Sequence, residues 1–281
     1  MVSNVVVVTD SVATVPESLI QELGIRVVPI VLNHRGRSYR DGVDLTPNEF
    51  YQLLRTSEEL PTSSTPSVGD IAEVYRAAAR DSAGVVGIHV TAKLSAVCET
   101  AVLAGQSVDA PVRVVDSRTA TMAQGFVVLE AARSAAAGAD LATVAARATE
   151  MTSKVRFYAF FETLEYLHRG GRIGAASALL GSALQFKPII HLVDGLVEPF
   201  AKPRTRRKAT QTLLDTMAKQ VGSRPVHAAV LHADSLDDAE ELRQRVADQF
   251  DCRELYVTEF TPVMGAHTGP GLLGLAFHAD E

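Results

Sequence analysis

The chain has 281 residues, 47% of them hydrophobic and 21% charged, proportions that leave little room for extensive disorder. Its 27 Lys and Arg against 33 Asp and Glu give a formal charge of −6, which argues against nucleic acid as the main partner. Two cysteines, Cys98 and Cys252, cannot build a disulfide framework, so a reducing, cytoplasmic setting is expected. The start MVSNVVVVTD lacks a cationic secretory n-region. The most apolar long window, 174–197, is interrupted by Lys187, His191 and Asp194, so no integral membrane segment is expected.

In chain order, VVVV (5–8) is apolar on both faces, as a central parallel strand requires. VVGIHV (85–90), VRVVD (112–116) and the interrupted run 25–32 read the same way. Between them, residues 14–17, 46–49 (with Pro47 at the first helical position) and 67–70 carry the capping-box pattern of helix starts. Alanine-rich helices over 126–138 and 140–151 close this half. Strands alternating with helices over short links predict an N-terminal doubly wound parallel α/β domain, residues 1–155.

Residues 156–281 open with the strand RFYAFF (156–161), a helix over 163–168, a glycine break and a further helix. Residues 187–200 then read as two strands joined at Asp194-Gly195, a dipeptide that favours a two-residue hairpin. A helix, the strand 226–234, a helix after Ser235 and two final strands predict a C-terminal mixed-sheet α/β domain. With length favouring two domains, the expected ligand cleft is the interface between them.

In open α/β sheets ligands collect where strands end and helices begin. Thr9-Asp10-Ser11, TSSTPS (62–67), TAKLS (91–95) and SRTAT (117–121) fall at such points, offering hydroxyls and free N–H groups to an anion. A lone Ser or Thr before a helix is ordinarily its cap, and Thr46 and Ser67 are assigned so. TSSTPS holds more hydroxyls than one helix end needs, which leaves Ser63 and Ser64 as ligand contacts. In LEYLHRGGRIG (164–174) the glycines and His168 read as helix C-capping, and Arg172, between glycine turns, as an anion contact. KPRTRRK (202–208) packs five cations into seven residues. It reads either as a solvated loop or as a docking site for an acidic surface or a partner's phosphates. GAHTGPG (265–271) reads as a turn whose glycines fold the backbone tightly against a head group held by His267 and Thr268. No GxGxxG, Walker or HExxH pattern occurs, so no nucleotide cofactor and no metal are expected.

VTDSVA (8–13), TSSTPSVGD (62–70), TAKLSAVCETA (91–101), VVDSRTATMAQG (114–125), TLEYLHRGGRIG (163–174), KPIIHLVDG (187–195), KPRTRRKA (202–209) and GAHTGPGLLGL (265–275) follow one another in an order that resembles the DegV family. The resemblance implies two α/β domains with one long-chain fatty acid in a tunnel between them. It implies an acyl-carrying subunit rather than a free-standing enzyme. A separate ATP-dependent fatty acid kinase subunit would phosphorylate the bound carboxylate to an acyl phosphate for bacterial phospholipid synthesis. By the same resemblance the carboxylate meets Ser63 (or, one position along, Thr62 or Ser64), Ser95, His267 and Thr268. Arg204, beside Arg206 and Arg207, takes the place of the family's arginine in the basic segment. The family's Thr-Ser-Gln-Pro stands here as Ser63-Ser64-Thr65-Pro66. Its Gly-Thr-Tyr after the serine stands as Ala96-Val97-Cys98, a smaller and more apolar wall.

The chemistry is coherent without the family. Each buried CH₂ is worth about 0.8 kcal/mol, so a sixteen-carbon tail gains on the order of 10 kcal/mol before ordering costs. The carboxylate opposes burial unless hydrogen bonds replace its water. Ser63, Ser95 and Thr268 donate without fixed charge and so leave the carboxylate nucleophilic, and His267, if protonated, adds a countercharge. FYAFF (157–161), ALLGSALQF (178–186) and LLGLAF (272–277) are candidate tail lining or, equally, core. Two alternatives use the same residues: a stand-alone lipid sensor or transport protein, and a serine hydrolase built on Ser95, His267 and Asp10 or Asp116. The second lacks a G-x-S-x-G elbow.

Overall fold

The computed structural model describes residues 5–80 and 82–280, without the side chains of 181–185. The first half runs β1 (Val5–Asp10), α1 (Glu17–Glu22), β2 (Arg26–Val28), β3 (Val31–His34), β4 (Arg37–Arg40), α2 (Pro47–Thr56), β5 (Thr62–Ser64), α3 (Val68–Ala79), β6 (Gly84–His89), α4 (Val97–Gln106), β7 (Val112–Asp116), α5 (Thr121–Ala136) and α6 (Leu141–Met151). The second runs β8 (Arg156–Phe160), α7 (Glu165–Arg169), a 3₁₀ stretch (Gly174–Gln185), β9 (Ile189–Val193), β10 (Leu196–Ala201), α8 (Arg206–Val221), β11 (Val226–His232), α9 (Leu236–Gln249), β12 (Cys252–Glu259), α10 (Pro262–Thr268) and β13 (Leu273–Ala279).

The valine runs do what apolar-on-both-faces runs must. β2-β1-β6-β7 form a wholly parallel sheet. Residues of α3 and α4 pack on one face of it and residues of α5 and α6 on the other. From β1 the chain moves to β2 on one side and to β6 on the other, so the carboxyl ends of β1 and β6 flank a topological switch point. The second domain is a six-stranded mixed sheet, β10-β9-β8-β13-β11-β12, in which only β11 and β12 run parallel. Its centre is β8 and β13, so FYAFF and LLGLAF are core. One hydrophobic cluster extends from Val5 to Ala276 and joins the two domains.

Several local expectations change form. The run 25–32 is divided: β2 stays in the parallel sheet, while β3 leaves it after Pro29 to join a three-stranded antiparallel sheet, β4-β3-β5. Proline has no N–H to continue a ladder, which marks the break. TSSTPS therefore begins as a strand, not a turn. Thr46 and Ser67 form their capping boxes, but Thr14 takes a left-handed φ of 47° and does not cap α1. Asp194 and Gly195, at φ 47° and 83°, make the two-residue hairpin between paired Val193 and Leu196. The helix after the glycine break is 3₁₀ in form, and most of GAHTGPG is the end of helix α10. Among the described residues no helix is long and apolar enough to cross a membrane, and no group of three or more His, Cys, Asp or Glu is placed to hold a metal ion.

Candidate functional site

A cavity of about 250 Å³ lies between the two domains beside the carboxyl ends of β1 and β6. Val12, Ile30, Val90 and Leu94 line it from the first domain, and Leu167, Val197, Val263 and Met264 from the second. The side chains of 181–185, within the run expected to line a tail, lie outside the described residues. The polar part of the wall is Ser63, Ser64, Thr65, Ser95, Arg172, His267 and Thr268.

Ser63, paired in β5 with the fully buried Leu32, and its neighbour Ser64 both line the cavity. The Ser64 hydroxyl accepts a hydrogen bond from Asn33 Nδ2 at 2.9 Å. Ser63 Oγ is 2.7 Å from Nε2 of His267.

His267 is placed by α10, and α10 is placed by a residue that no local pattern revealed. Asp41 is 2% exposed; its carboxylate accepts from Val263 N at the helix start (3.0 Å) and from Ser11 Oγ (2.6 Å). Burial raises the Asp41 pKa above the usual carboxylate range, with the hydrogen bonds from Ser11 and Val263 opposing the rise. One carboxylate thus ties together the loop after β1, the three-stranded sheet and the histidine helix.

Burial, with the Arg172 guanidinium as a second cause, pushes the His267 imidazole down to about 4. The ring is therefore neutral near pH 7, and the expected countercharge from a protonated histidine is replaced by Arg172. The buried Nδ1 has no hydrogen-bond partner among the described residues, so the ring proton belongs on Nε2, where it is donated to Ser63. Ser63 is then free to turn its own O–H towards the cavity. A Cβ on Gly170 would collide with Nδ1, so glycine is what lets the end of α7 close over this ring.

Arg172 donates through Nε to Leu94 O (3.1 Å) and through Nη1 to Gly170 O (2.6 Å), while Nη2 meets no acceptor among the described residues. The wall therefore holds one tethered cation as well as neutral donors. Ser95 Oγ accepts only a long bond from Val97 N (3.4 Å), leaving its O–H available. Thr268 differs: its O–H is given to Met264 O at 2.9 Å, so it offers the cavity an acceptor before a donor. The three glycines do not face a head group. Cβ atoms would strike Phe50 and Tyr51 from Gly265, the Tyr166 ring from Gly269 and Glu162 from Gly271, so these glycines let α10 and its exit pack against α2, α7 and the segment after β8.

The basic segment divides. Arg206 is bound internally to Glu162, Asp238 and Gly271 O and lies over the Phe160 ring. Arg204, over the Phe186 ring, and Arg207 are exposed. The hydrolase arrangement is not assembled. His267 pairs with Ser63 rather than Ser95, no carboxylate among the described residues meets its Nδ1, and Asp10 is bonded instead to His89.

Over residues 4–280 the chain matches the family model described as an uncharacterised protein of the DegV family. It is 39% identical over 277 residues to a DegV domain-containing protein of Streptomyces coelicolor, covering 98% of each chain. A DegV family protein from Thermus thermophilus, described by its fatty acid binding, superposes with a TM-score of 0.93 at 35% identity over 99% of this chain and 100% of that one. DegV of Bacillus subtilis, described as a fatty acid binding protein, superposes at 0.91 with 31% identity over 99% and 100%. Matched in sequence and fold along nearly its whole length, the chain belongs to the DegV family.

Proposed function

We propose that this protein binds one long-chain fatty acid between its domains. It then presents the carboxylate to an ATP-dependent fatty acid kinase subunit, in the cytoplasm, for acyl phosphate formation in phospholipid synthesis. The observation that carries the reading is the mainly apolar cavity ending at Ser63, Ser95, His267 and Arg172. The fatty acid binding of the Thermus and Bacillus relatives supports it. In this reading residues 1–155 supply Ser63 and Ser95, and 156–281 supply the histidine and the arginine.

The tail gains from leaving water, and the carboxylate exchanges water for the O–H groups of Ser63 and Ser95. His267 backs Ser63 by donating to its oxygen, which strengthens the O–H that faces the ligand. Arg172 balances the charge through its one spare nitrogen. A single tethered arginine, in place of a bidentate clamp, leaves a carboxylate oxygen with a lone pair to attack the γ-phosphorus of ATP. The P–O bond to the leaving diphosphate breaks as the acyl–O–P bond forms, and ADP departs with the partner.

Exposed Arg204 and Arg207 are the docking candidates, whereas Arg206 is committed to Glu162 and Asp238. Arg204→Glu with Arg207→Glu is expected to leave lipid affinity unchanged and to lower acyl phosphate formation by about tenfold or more. Retained phosphorylation rejects docking through this segment. The lipid itself is tested by native mass spectrometry of purified protein followed by lipid extraction. One fatty acid per chain is expected, and a bare chain that also fails to take up added fatty acid contradicts the proposal.

A further inference from the structure

A cavity of about 430 Å³ lies at the other end of the second domain's sheet from the interdomain site. Arg156 opens β8 and pairs with Phe277 near the end of β13, whereas Leu167 and Thr268 of the interdomain cavity follow β8 and precede β13. Ser153, Lys154, Arg156, Gln220 and Arg224 line this second cavity over Phe277, and no carboxylate among the described residues joins them. We propose that it binds a soluble phosphate, as the free ion or as the monoester of a small molecule, held by Arg156 and Arg224.

In this acidic chain Arg55, Arg133, Arg206 and Arg253 each pair with a carboxylate. Arg156 and Arg224 give their bonds to backbone carbonyls instead. Arg156 Nη1 donates to Ser153 O (2.7 Å) and Val155 O (2.8 Å). Arg224 donates through Nε to Val221 O (3.1 Å) and through Nη2 to Gln220 O (2.8 Å). These carbonyls belong to the turn after α6 and to the last turn of α8, where an arginine cap is ordinary. A cap uses only part of a guanidinium. Nε and Nη2 of Arg156 and Nη1 of Arg224 meet no acceptor among the described residues. Both residues are exposed, as entry from solvent requires. Two charges are thus held in place with donors to spare, the arrangement that Leu94 O and Gly170 O give Arg172 in the other cavity. Lys154 is engaged by Glu150 at 2.7 Å, so recognition falls to the two arginines. Planar guanidinium groups match phosphate oxygens well, and two of them balance a group that carries close to two negative charges. The volume lies in the range of small-molecule sites, roughly 300–1,000 Å³, and so admits a carrier as well as the phosphate.

The test titrates inorganic phosphate and glycerol 2-phosphate by calorimetry into the wild-type protein, Arg156→Gln, Arg224→Gln and Ser153→Asp. Phosphatidylglycerol vesicles are tested separately by co-sedimentation. One phosphate per wild-type chain is expected, and each arginine variant should weaken it about tenfold while leaving palmitate affinity unchanged. Ser153→Asp keeps both arginine caps and adds a carboxylate to the wall, so it decides the matter even if an arginine variant fails to fold. It should weaken phosphate about tenfold or more. Equal affinity for the two probes assigns the free ion, and tighter binding of glycerol 2-phosphate assigns a monoester. Binding of neither probe, unchanged affinity in all three variants, or binding of vesicles alone overturns the proposal.

Discussion

Two histidines, His89 and His267, show the difference between a cluster that holds the fold and one arranged to meet something else. His89 has no exposed surface. Its Nδ1 lies 3.1 Å from Asp10, and its Nε2 lies 2.8 Å from the hydroxyl of Tyr75. Asp10 also accepts from Val12 N (3.1 Å), Val90 N (2.9 Å) and Gln124 (3.2 Å). Both ring nitrogens and both carboxylate oxygens are occupied. The cluster pins β1 to β6 and fixes the two loops whose Val12 and Val90 line the interdomain cavity. His267 keeps one nitrogen on a serine and the other on nothing, beside an arginine with a spare donor. The Asp10–His89 pair is satisfied within the fold, whereas His267 stands beside a cavity with one nitrogen unpartnered among the described residues.

The largest effect should come from breaking the saturated cluster. Asp10→Ala strands His89 and several buried donors, and is expected to cost about 3–5 kcal/mol in chemical denaturation. A loss below about 1 kcal/mol would remove the distinction drawn between the two histidines.

Next is the pH dependence of the ligand-free protein. His267 titrates at about 4 in the fold against an ordinary 6.5, so the unfolded chain takes the proton first. Its contribution is fully present above about pH 6.5 and is lost as the pH falls towards 4, a change of roughly 2–3 kcal/mol. His267→Gln should flatten that part of the stability profile relative to wild type; parallel profiles would show that the ring is not held neutral.

Gly170→Ala sharpens the comparison by moving the imidazole without changing it. The new methyl is expected to cost about 1–3 kcal/mol. Fatty acid affinity should fall about tenfold, whereas Gly171→Ala, which meets no neighbour but has a φ of 68°, should reduce stability and spare affinity. The smallest effect belongs to Thr268. Its O–H already serves Met264, so Thr268→Val should change fatty acid affinity by about twofold or less, while Ser63→Ala should change it about tenfold.

What was legible in the sequence was what local chemistry encodes. VVVV and VVGIHV could only be buried parallel strands, Thr46 and Ser67 sit three residues before their acidic partners, and Asp194-Gly195 tolerates two left-handed residues in succession. β4 (RSYR) and β5 (TSS) are short and polar, so nothing local marks them as strands. The end of helix α10 runs into the three-glycine segment 265–271 and reads as a turn, although Pro262 at its first position was a usable signal. For the site, the residue types at 63, 95, 172 and 267 pointed to an anion, and the structure brings them to one wall. Ser63 and Ser64 both line the cavity and differ in their partners, His267 for Ser63 and Asn33 for Ser64, contacts that no local pattern shows. Asp41 was invisible because its bond to Val263 joins positions 222 residues apart. The internal use of Arg206 was hidden for the same reason: Glu162 and Asp238 lie 44 and 32 residues away.

The most direct test is a crystal structure of the protein loaded with palmitate. The carboxylate is expected within hydrogen-bond distance of the hydroxyls of Ser63 and Ser95, facing Arg172, with the tail running between Val12, Val90 and Met264. A tail lying elsewhere, or a carboxylate turned away from His267 into solvent, would contradict the central claim that this seam between the two domains is the lipid site.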